Sequence, residues 1–309
     1  MRLGVLDVGS NTVHLVAVDA RPGGRPTPMS DWKTTLKLVD LLDKRGAVSD
    51  KGLARLTAAV GEAAELAGKL GCVELIAFAT SAVRSATNSE KVLAHVRKHT
   101  GVELEILFGP DEARLTFLAT RRWYGWSAGR IINLDIGGGS LEMATGLDET
   151  PDVAFSLDLG AGRLTHEWFD TDPPERKKIN LLRDFIDAEL VEPARQMRAY
   201  GPARVATGTS KTFRTLARLT GAAPSSEGPF VTRTLSSPGL RQLIAFISRM
   251  TAADRAELEG VSADRSYQIV AGALVAEAAM RALALEEIEI CPWALREGVI
   301  LRRIDKGLE

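Results

Sequence analysis

The stretch "LDVGSNTVHL", residues 6–15, is matched much later in the chain by "LDIGGGSLEM", residues 134–143. In both stretches an aspartate ends an apolar run, a glycine follows two residues later, and a hydroxyl residue comes just before a second apolar run. Asp7 and Asp135 lie 128 positions apart, which is about the length of one domain. The repeat therefore predicts an internal duplication in which each half begins with a strand hairpin.

Helices and strands alternate after both hairpins. A third strand that runs into a loop is predicted from "WKTTLKLVDLL", residues 32–42, and helical segments are predicted from about residue 238 to 285. Such an order forms mixed sheets flanked by helices. We expect an α/β protein with domains at 1–126 and 127–309, with the last helix packing back on the first domain. Since no long linker separates the halves, a shared cleft is expected.

Composition excludes some classes of function. The 309 residues are 45% hydrophobic and 26% charged, with a net charge of −1 and a pI of about 6.5, so the chain is no globally basic nucleic-acid binder. The longest apolar stretch is broken by Glu277 and Arg281, and no secretory signal is visible. Cys72 and Cys291 lie in or beside apolar runs, which favours reduced thiols but leaves a pairing open. We expect a cytoplasmic protein without a membrane or nucleic-acid partner.

The repeated turn has a chemical use. A hairpin turn with glycine at its apex presents backbone N–H groups that favour phosphate oxygens, and the hydroxyls of Ser10, Thr12 and Ser140 add donors. Asp7 and Asp135, at the strand ends, can hold a divalent cation beside bound phosphate. Either turn alone could be an ordinary hairpin. Two matched turns that face each other would instead grip a phosphate chain from both sides.

Further motifs make a family resemblance specific. "DVGSNT" and "DIGGGS" look like the paired phosphate motifs of the superfamily of acetate and sugar kinases, heat-shock ATPases and actin. With "ATSAVRSATN" (79–88), "FGPDEARL" (108–115) and "ALREG" (294–298), the chain resembles the exopolyphosphatase and guanosine pentaphosphate phosphohydrolase (Ppx/GppA) family over its whole length. The resemblance implies two ribonuclease H-like domains with the active site in the interdomain cleft. It also implies the short form, without the helical HD-type domain of long members.

The resemblance assigns roles to three charged residues. It makes Glu112 the base that activates water, Glu142 a second carboxylate that aids the water or the metal, and Arg84 a ligand of substrate phosphate. From the residues alone each has another interpretation. Glu112 could complement a helix dipole, Glu142 could face outward from a strand, and Arg84 could be solvated. The closing motif, with Arg296 and Glu297, is expected to contribute an intramolecular ion pair that fixes the last helix and to have no catalytic role.

The remaining predicted site residues bind phosphate or metal. Between a strand and a helix, "GTSK", residues 208–211, is a second anion-binding turn, but not a P-loop, because Ser210 stands where glycine is needed. Asp7 and Asp135 are the predicted ligands of Mg²⁺, with Mn²⁺ as the alternative metal. The predicted phosphate-binding residues are Gly9, Ser10, Asn11, Thr12, Arg84, Gly137, Gly138, Gly139, Ser140, Gly208, Thr209, Ser210 and Lys211.

The function expected from the resemblance is release of terminal orthophosphate from inorganic polyphosphate, with short chains preferred. Hydrolysis of guanosine pentaphosphate is the nearest alternative, and guanosine tetra- and pentaphosphate are further candidate ligands. An ATP-dependent kinase of the same superfamily is disfavoured by Glu112. A non-catalytic phosphate or nucleotide sensor is disfavoured because every carboxylate that hydrolysis needs is present. The sequence leaves a homodimer open.

Overall fold

The computed structural model describes residues 1–307, which form two compact units. The first unit comprises Met1–Leu115 and the segment from Leu295 onward, and the second comprises Thr116–Ala294. The division falls inside the helix Gly109–Tyr124, which contributes side chains to the cores of both units, and the domain limits at residues 126 and 127 stay predictions. No helix of the described chain is long and apolar enough to span a membrane.

The first unit contains a five-stranded sheet in the order β3-β2-β1-β4-β5, in which β1, β2 and β3 are antiparallel and β4 and β5 run parallel to β1. Its strands are β1 (Arg2–Val8), β2 (Thr12–Asp19), β3 (Pro28–Thr35), β4 (Glu74–Ala79) and β5 (Glu105–Ile106). Its helices are α1 (Asp50–Lys69), α2 (Ser81–Arg84), α3 (Ser89–Thr100), the start of α4 (Gly109–Tyr124) and α11 (Leu295–Asp305).

Both faces of this sheet are covered, because apolar residues alternate along its strands. In β1, Leu6 and Val8 pack with α1 and α3, whereas Leu3 and Val5 pack with α4 and α11. The same alternation places Asp7 on the face covered by α4 and α11. That face is completed by Leu115 of α4 and by the α11 side chains Val299, Ile300 and Ile304.

The second unit contains a six-stranded sheet in the order β10-β11-β9-β6-β7-β8. Its strands are β6 (Ile131–Ile136), β7 (Leu141–Gly146), β8 (Val153–Leu157), β9 (Val205–Thr209), β10 (Thr234–Ser236) and β11 (Glu287–Ile290). Its helices, after the end of α4, are α5 (Ala161–Trp168), α6 (Arg176–Ala199), α7 (Ser210–Leu219), α8 (Ser237–Ile247), α9 (Ala252–Ala256) and α10 (Ile269–Ala282).

The strand order confirms the predicted duplication. The run β8-β7-β6-β9-β11 repeats the antiparallel and parallel pairings of β3-β2-β1-β4-β5, and β10 adds one antiparallel strand at the edge. The predicted fold class, mixed sheets flanked by helices, is therefore confirmed. The three-residue β10 was missed because it is too short to carry an alternating pattern.

The predicted third strand, which was expected to run into a loop within residues 32–42, begins earlier than expected. The strand β3 covers Pro28–Thr35, and Leu38–Leu41 form a turn of 3₁₀ helix. The chain leaves the sheet at Lys37, whose φ of 50° is left-handed. The apolar residues after this point therefore belong to a turn, and they lie against the first hairpin.

Candidate active site

The two hairpin turns close in the same way. The Gly9 N–H donates to the Thr12 carbonyl at 2.9 Å, and the Gly137 N–H donates to the Ser140 carbonyl at 2.9 Å. Neither glycine has a left-handed φ. In each turn, an added Cβ would lie 3.4 Å from the carbonyl oxygen that accepts the glycine N–H. The two turns are thus equivalent in geometry as well as in sequence.

The segment that follows β3 is hydrogen-bonded to the backbone of the first turn. The Asn11 carbonyl accepts from the N–H groups of Leu36 and Lys37 at 2.8 and 3.0 Å, and the Ser10 carbonyl accepts from Leu38 at 2.7 Å. These bonds occupy carbonyl oxygens that would repel a phosphate. They leave a turn whose polarity favours an anion.

The Ser10 hydroxyl serves to join elements within the first unit. It lies 3.0 Å from the hydroxyl of Ser81, and both side chains are buried. Ser81 begins helix α2, which ends at Arg84. The predicted phosphate ligands Ser10 and Arg84 are therefore coupled through one short helix.

The second turn is held by the start of helix α5. The carbonyls of Gly137 and Gly138 accept from the N–H groups of Ala161 and Arg163 at 3.0 and 2.9 Å. Gly160 lies so close to the turn that an added Cβ would overlap the backbone of Gly139. This role of Gly160 was not predicted. Close contact between two backbones leaves no local pattern in the sequence.

Two predicted acids lie together in the second unit. Asp135 of β6 is directly opposite Glu142 of β7, so both side chains are on one face of the sheet. The Ser156 hydroxyl donates to Glu142 at 2.8 Å, and Glu142 is only 4% exposed, which rules out an outward-facing side chain. The Thr209 hydroxyl donates to Asp135 at 2.5 Å. Thr209, predicted as a phosphate ligand, thus orients the predicted metal ligand.

The "GTSK" turn joins β9 to α7. Ser210 has a φ of 74°, which is unusual for a residue other than glycine and is often found at binding sites. Gly208 is required for packing, since a Cβ there would lie 2.7 Å from the Phe213 ring. A small recess beside the turn is lined by Ala161, Lys211, Thr212, Arg265 and Gln268, among others. Arg265 was not predicted, because a lone arginine before a helix carries no pattern.

Arg84 and Glu112 form an ion pair in the first unit. The Arg84 guanidinium also donates to the Leu107 carbonyl at 2.7 Å. The side chains of Arg84 and Glu112 are only 20% and 7% exposed, which excludes a freely solvated arginine and a solvated first-turn acid. The structure therefore brings together the residue predicted to bind phosphate and the residue predicted to activate water.

Within the described part of the chain, Arg296 contacts a histidine where an ion pair was expected. Its guanidinium contacts the imidazole of His14, and the distance to Nε2 is 3.1 Å. Burial, together with the positive charge of Arg296, lowers the pKa of His14 to about 4. The imidazole is therefore neutral near pH 7. The contact joins a cation to a neutral ring, because α11 lies against the sheet at His14.

The described residues contain no group of three or more histidine, cysteine, aspartate or glutamate side chains that could cage a metal ion. Asp7 in the first unit and Asp135 in the second each offer a carboxylate beside a turn suited to phosphate. A carboxylate in such a place suits Mg²⁺, which keeps several waters and is commonly bound through one or two carboxylates and substrate phosphates.

Comparison with known proteins agrees with this geometry. A model of the Ppx/GppA phosphatase family matches residues 16–307. The chain belongs to the Ppx/GppA phosphatase family. It is 66% identical over 305 residues to Exopolyphosphatase 1 of Mycobacterium tuberculosis, covering 99% of this chain and 89% of that protein. It is 63% identical to Exopolyphosphatase 1 of Mycobacterium leprae, with coverage of 99% and 90%.

Solved structures of Ppx/GppA proteins show the same fold. An exopolyphosphatase from Cytophaga hutchinsonii superimposes with a TM-score of 0.89 at 24% identity, covering 99% of this chain and 98% of that one. The Aquifex aeolicus family member gives 0.82 at 22% identity, with coverage of 100% and 99%. The predicted family, the actin-like fold class and a hydrolase of phosphoric anhydrides are confirmed. The roles of the individual Ppx/GppA site residues and the domain limits stay predictions.

Proposed function

We propose that this Ppx/GppA protein is an exopolyphosphatase that releases the terminal orthophosphate of inorganic polyphosphate. The observation that carries the proposal is the buried contact between Arg84 and Glu112. A cation suited to phosphate and an acid suited to water activation lie side by side in the first unit. The mycobacterial relatives named Exopolyphosphatase 1 support the same substrate.

In the proposed reaction, the Glu112 carboxylate orients a water and accepts its proton. The water oxygen forms a bond to the terminal phosphorus, and the bond from that phosphorus to the bridging oxygen breaks. Orthophosphate and a chain one unit shorter are the products. Most of the catalysis of phosphoryl transfer comes from positioning and from stabilising charge on the transferred group. Arg84 contributes a planar pair of donors that suits phosphate oxygens.

The two hairpin turns supply the remaining contacts in this proposal. Because the Gly9 and Gly137 N–H groups close the turns, backbone N–H groups of residues 10–12 and 138–140 bind phosphate oxygens, and "GTSK" adds donors. Asp7 and Asp135 would hold Mg²⁺, which when bound neutralises charge on the phosphate oxygens. Thr209 fixes the orientation of Asp135, and Ser156 fixes that of Glu142. Glu142 then assists the water or the metal site.

We also propose a preference for short chains. Two of the cations nearest to the predicted phosphate ligands are paired with acids: Arg84 with Glu112, and Arg163 with Asp158 at 3.3 Å. The net charge of the chain is −1, so the surface as a whole attracts no long polyanion. A cytoplasmic location and a homodimer stay predictions.

The test is release of orthophosphate by the purified protein with Mg²⁺, using polyphosphate, guanosine pentaphosphate or ATP as the substrate. The proposal predicts the highest kcat/KM with polyphosphate and products shortened by one phosphate at a time. A higher kcat/KM with guanosine pentaphosphate would make that the function. Phosphate transfer from ATP to an acceptor would indicate a kinase, and binding without release of phosphate would indicate a sensor.

A further inference from the structure

Arg296 differs from Arg84 in its partner. Across residues 1–307, the structure gives its guanidinium the imidazole of His14 and no carboxylate. Arg84 is neutralised by Glu112 in the same unit. Since a guanidinium can only donate, the ring nitrogen that it contacts must be an unprotonated acceptor, so this contact does not neutralise Arg296.

Charges of both signs lie around His14. Asp31 lies 3.5 Å from Nε2 of His14, but its side chain is 69% exposed, so water screens it strongly. Lys33 is opposite His14 in the β2–β3 ladder, and Asp7, the predicted metal ligand, is opposite it in the β1–β2 ladder. Arg296 therefore lies where a phosphate and its metal would bind together.

The position of this cation links it to the first phosphate turn. His14 is directly opposite Asp7 in the β1–β2 ladder, where facing Cβ atoms are about 5 Å apart. Both residues lie on the face covered by α4 and α11. Gly298 allows α11 to touch α4, since a Cβ there would overlap the Leu115 carbonyl. Arg296 is thus held on the same face as Asp7 and the helix that carries Glu112.

The two duplicated hairpins differ at one equivalent position. His14 in the first hairpin corresponds to Glu142 in the second, because each lies opposite the aspartate of its turn. The second unit places a carboxylate at this point. The first unit places a neutral ring that holds an arginine. At equivalent positions, one turn therefore has an acid and the other has a histidine that contacts an arginine.

We propose that Arg296 binds a phosphate group of the substrate beside the turn at residues 9–12, and that His14 is the positioning residue that holds its guanidinium. The inference rests on the proposed function for the identity of the substrate, an oligophosphate. A neutral imidazole accepts one N–H of the guanidinium and leaves the others for phosphate oxygens.

The variants Arg296→Met and Arg296→Lys test the arginine, and Arg302→Met on the same helix is the matched control. A hydrogen bond to a charged group contributes about 1.5–3 kcal/mol, so KM for tripolyphosphate should rise roughly 10–100-fold in Arg296→Met, with a smaller change in kcat. Arg296→Lys should restore part of the affinity. A third variant, Arg296→Ala, leaves space for a guanidinium ion, so added guanidinium should restore part of its activity. Arg302→Met should behave like the wild type.

The variants His14→Gln and His14→Leu test the positioning role. Glutamine keeps an acceptor, so His14→Gln should raise KM less than His14→Leu does. Thermal unfolding of every variant checks that it is folded. A folded Arg296→Met with kcat/KM within twofold of the wild type would overturn the inference, as would equal KM values for the two His14 variants.

The role of Arg296 can still be tested if the wild type does not cleave polyphosphate. That result would contradict the proposed function, and calorimetry with tripolyphosphate would then test Arg296 alone. Weaker binding by Arg296→Met than by Arg302→Met would support the anion site. Equal binding would overturn it.

Discussion

The guanidinium of Arg84 donates to the carboxylate of Glu112, although the two residues lie 28 positions apart on separate helices. A buried ion pair gains little stability, because the cost of removing both charges from water offsets their attraction. The pair is better explained by the reaction that we propose. Arg84 holds the carboxylate in place, and the other N–H groups of its guanidinium stay available to a bound phosphate.

Replacement of Asp7 or Asp135 by asparagine is predicted to weaken activation by Mg²⁺. If both carboxylates serve one metal–phosphate centre, the double variant should be little worse than the poorer single variant, since groups that act as a unit are not additive. The measurement is a Mg²⁺ titration of the rate of orthophosphate release. Losses that multiply fully in the double variant would instead indicate two independent sites.

Gly160→Ala is predicted to distort the second phosphate turn. The new methyl group would overlap the backbone of Gly139 and Ser140, and overpacking of this kind costs about 1–3 kcal/mol or more. The matched control is Gly68→Ala in α1, where no atom lies within 4 Å of the new Cβ. That change should stabilise the helix by about 0.5–1 kcal/mol. Urea unfolding and kcat/KM measure both variants, and a fully stable and active Gly160→Ala would show that the turn can move freely.

Stability is predicted to depend on the protonation of His14. Its pKa is about 4 in the folded chain, mainly because of burial, and about 6.5 when unfolded, so the unfolded state takes up the proton first. The stabilisation from burying the neutral ring is fully present above pH 6.5. As the pH falls toward 4 it is lost, and the free energy of unfolding decreases by up to roughly 3 kcal/mol. Between pH 7.5 and pH 5, the free energy of unfolding measured with urea should decrease more for the wild type than for His14→Gln. Equal losses would contradict the burial of a neutral ring.

Chain length is predicted to matter only over the first few phosphates. Each phosphate docked on a cation adds salt-sensitive free energy, and few such cations are available near the predicted ligands. The value of kcat/KM should therefore rise and then flatten or fall as defined chains lengthen. Assays at two salt concentrations check this. A steady rise into long chains, with a steepening salt dependence, would point to the groove in the second unit that is lined by Arg176, Arg183, Arg241 and Arg249.

The sequence predicted the parts of the molecule that have a period or a repeat. The matched turns at Asp7 and Asp135 revealed the duplication, and alternation of apolar residues located most strands. It missed Gly160, because close contact between two backbones leaves no local pattern. It also misjudged Arg296, because the partner His14 lies 282 positions away and is joined to it only by packing of α11 on the sheet.

The proposed mechanism is tested most directly by the rate at which Glu112→Gln releases orthophosphate from polyphosphate. The substitution keeps the shape of the side chain and removes the base, and loss of a general base costs roughly 10²–10⁴ in rate. We predict a fall in kcat of that size with KM nearly unchanged, because Arg84 stays available to phosphate. A variant that keeps more than about half of the wild-type kcat would contradict the assignment of Glu112 and the mechanism built on it.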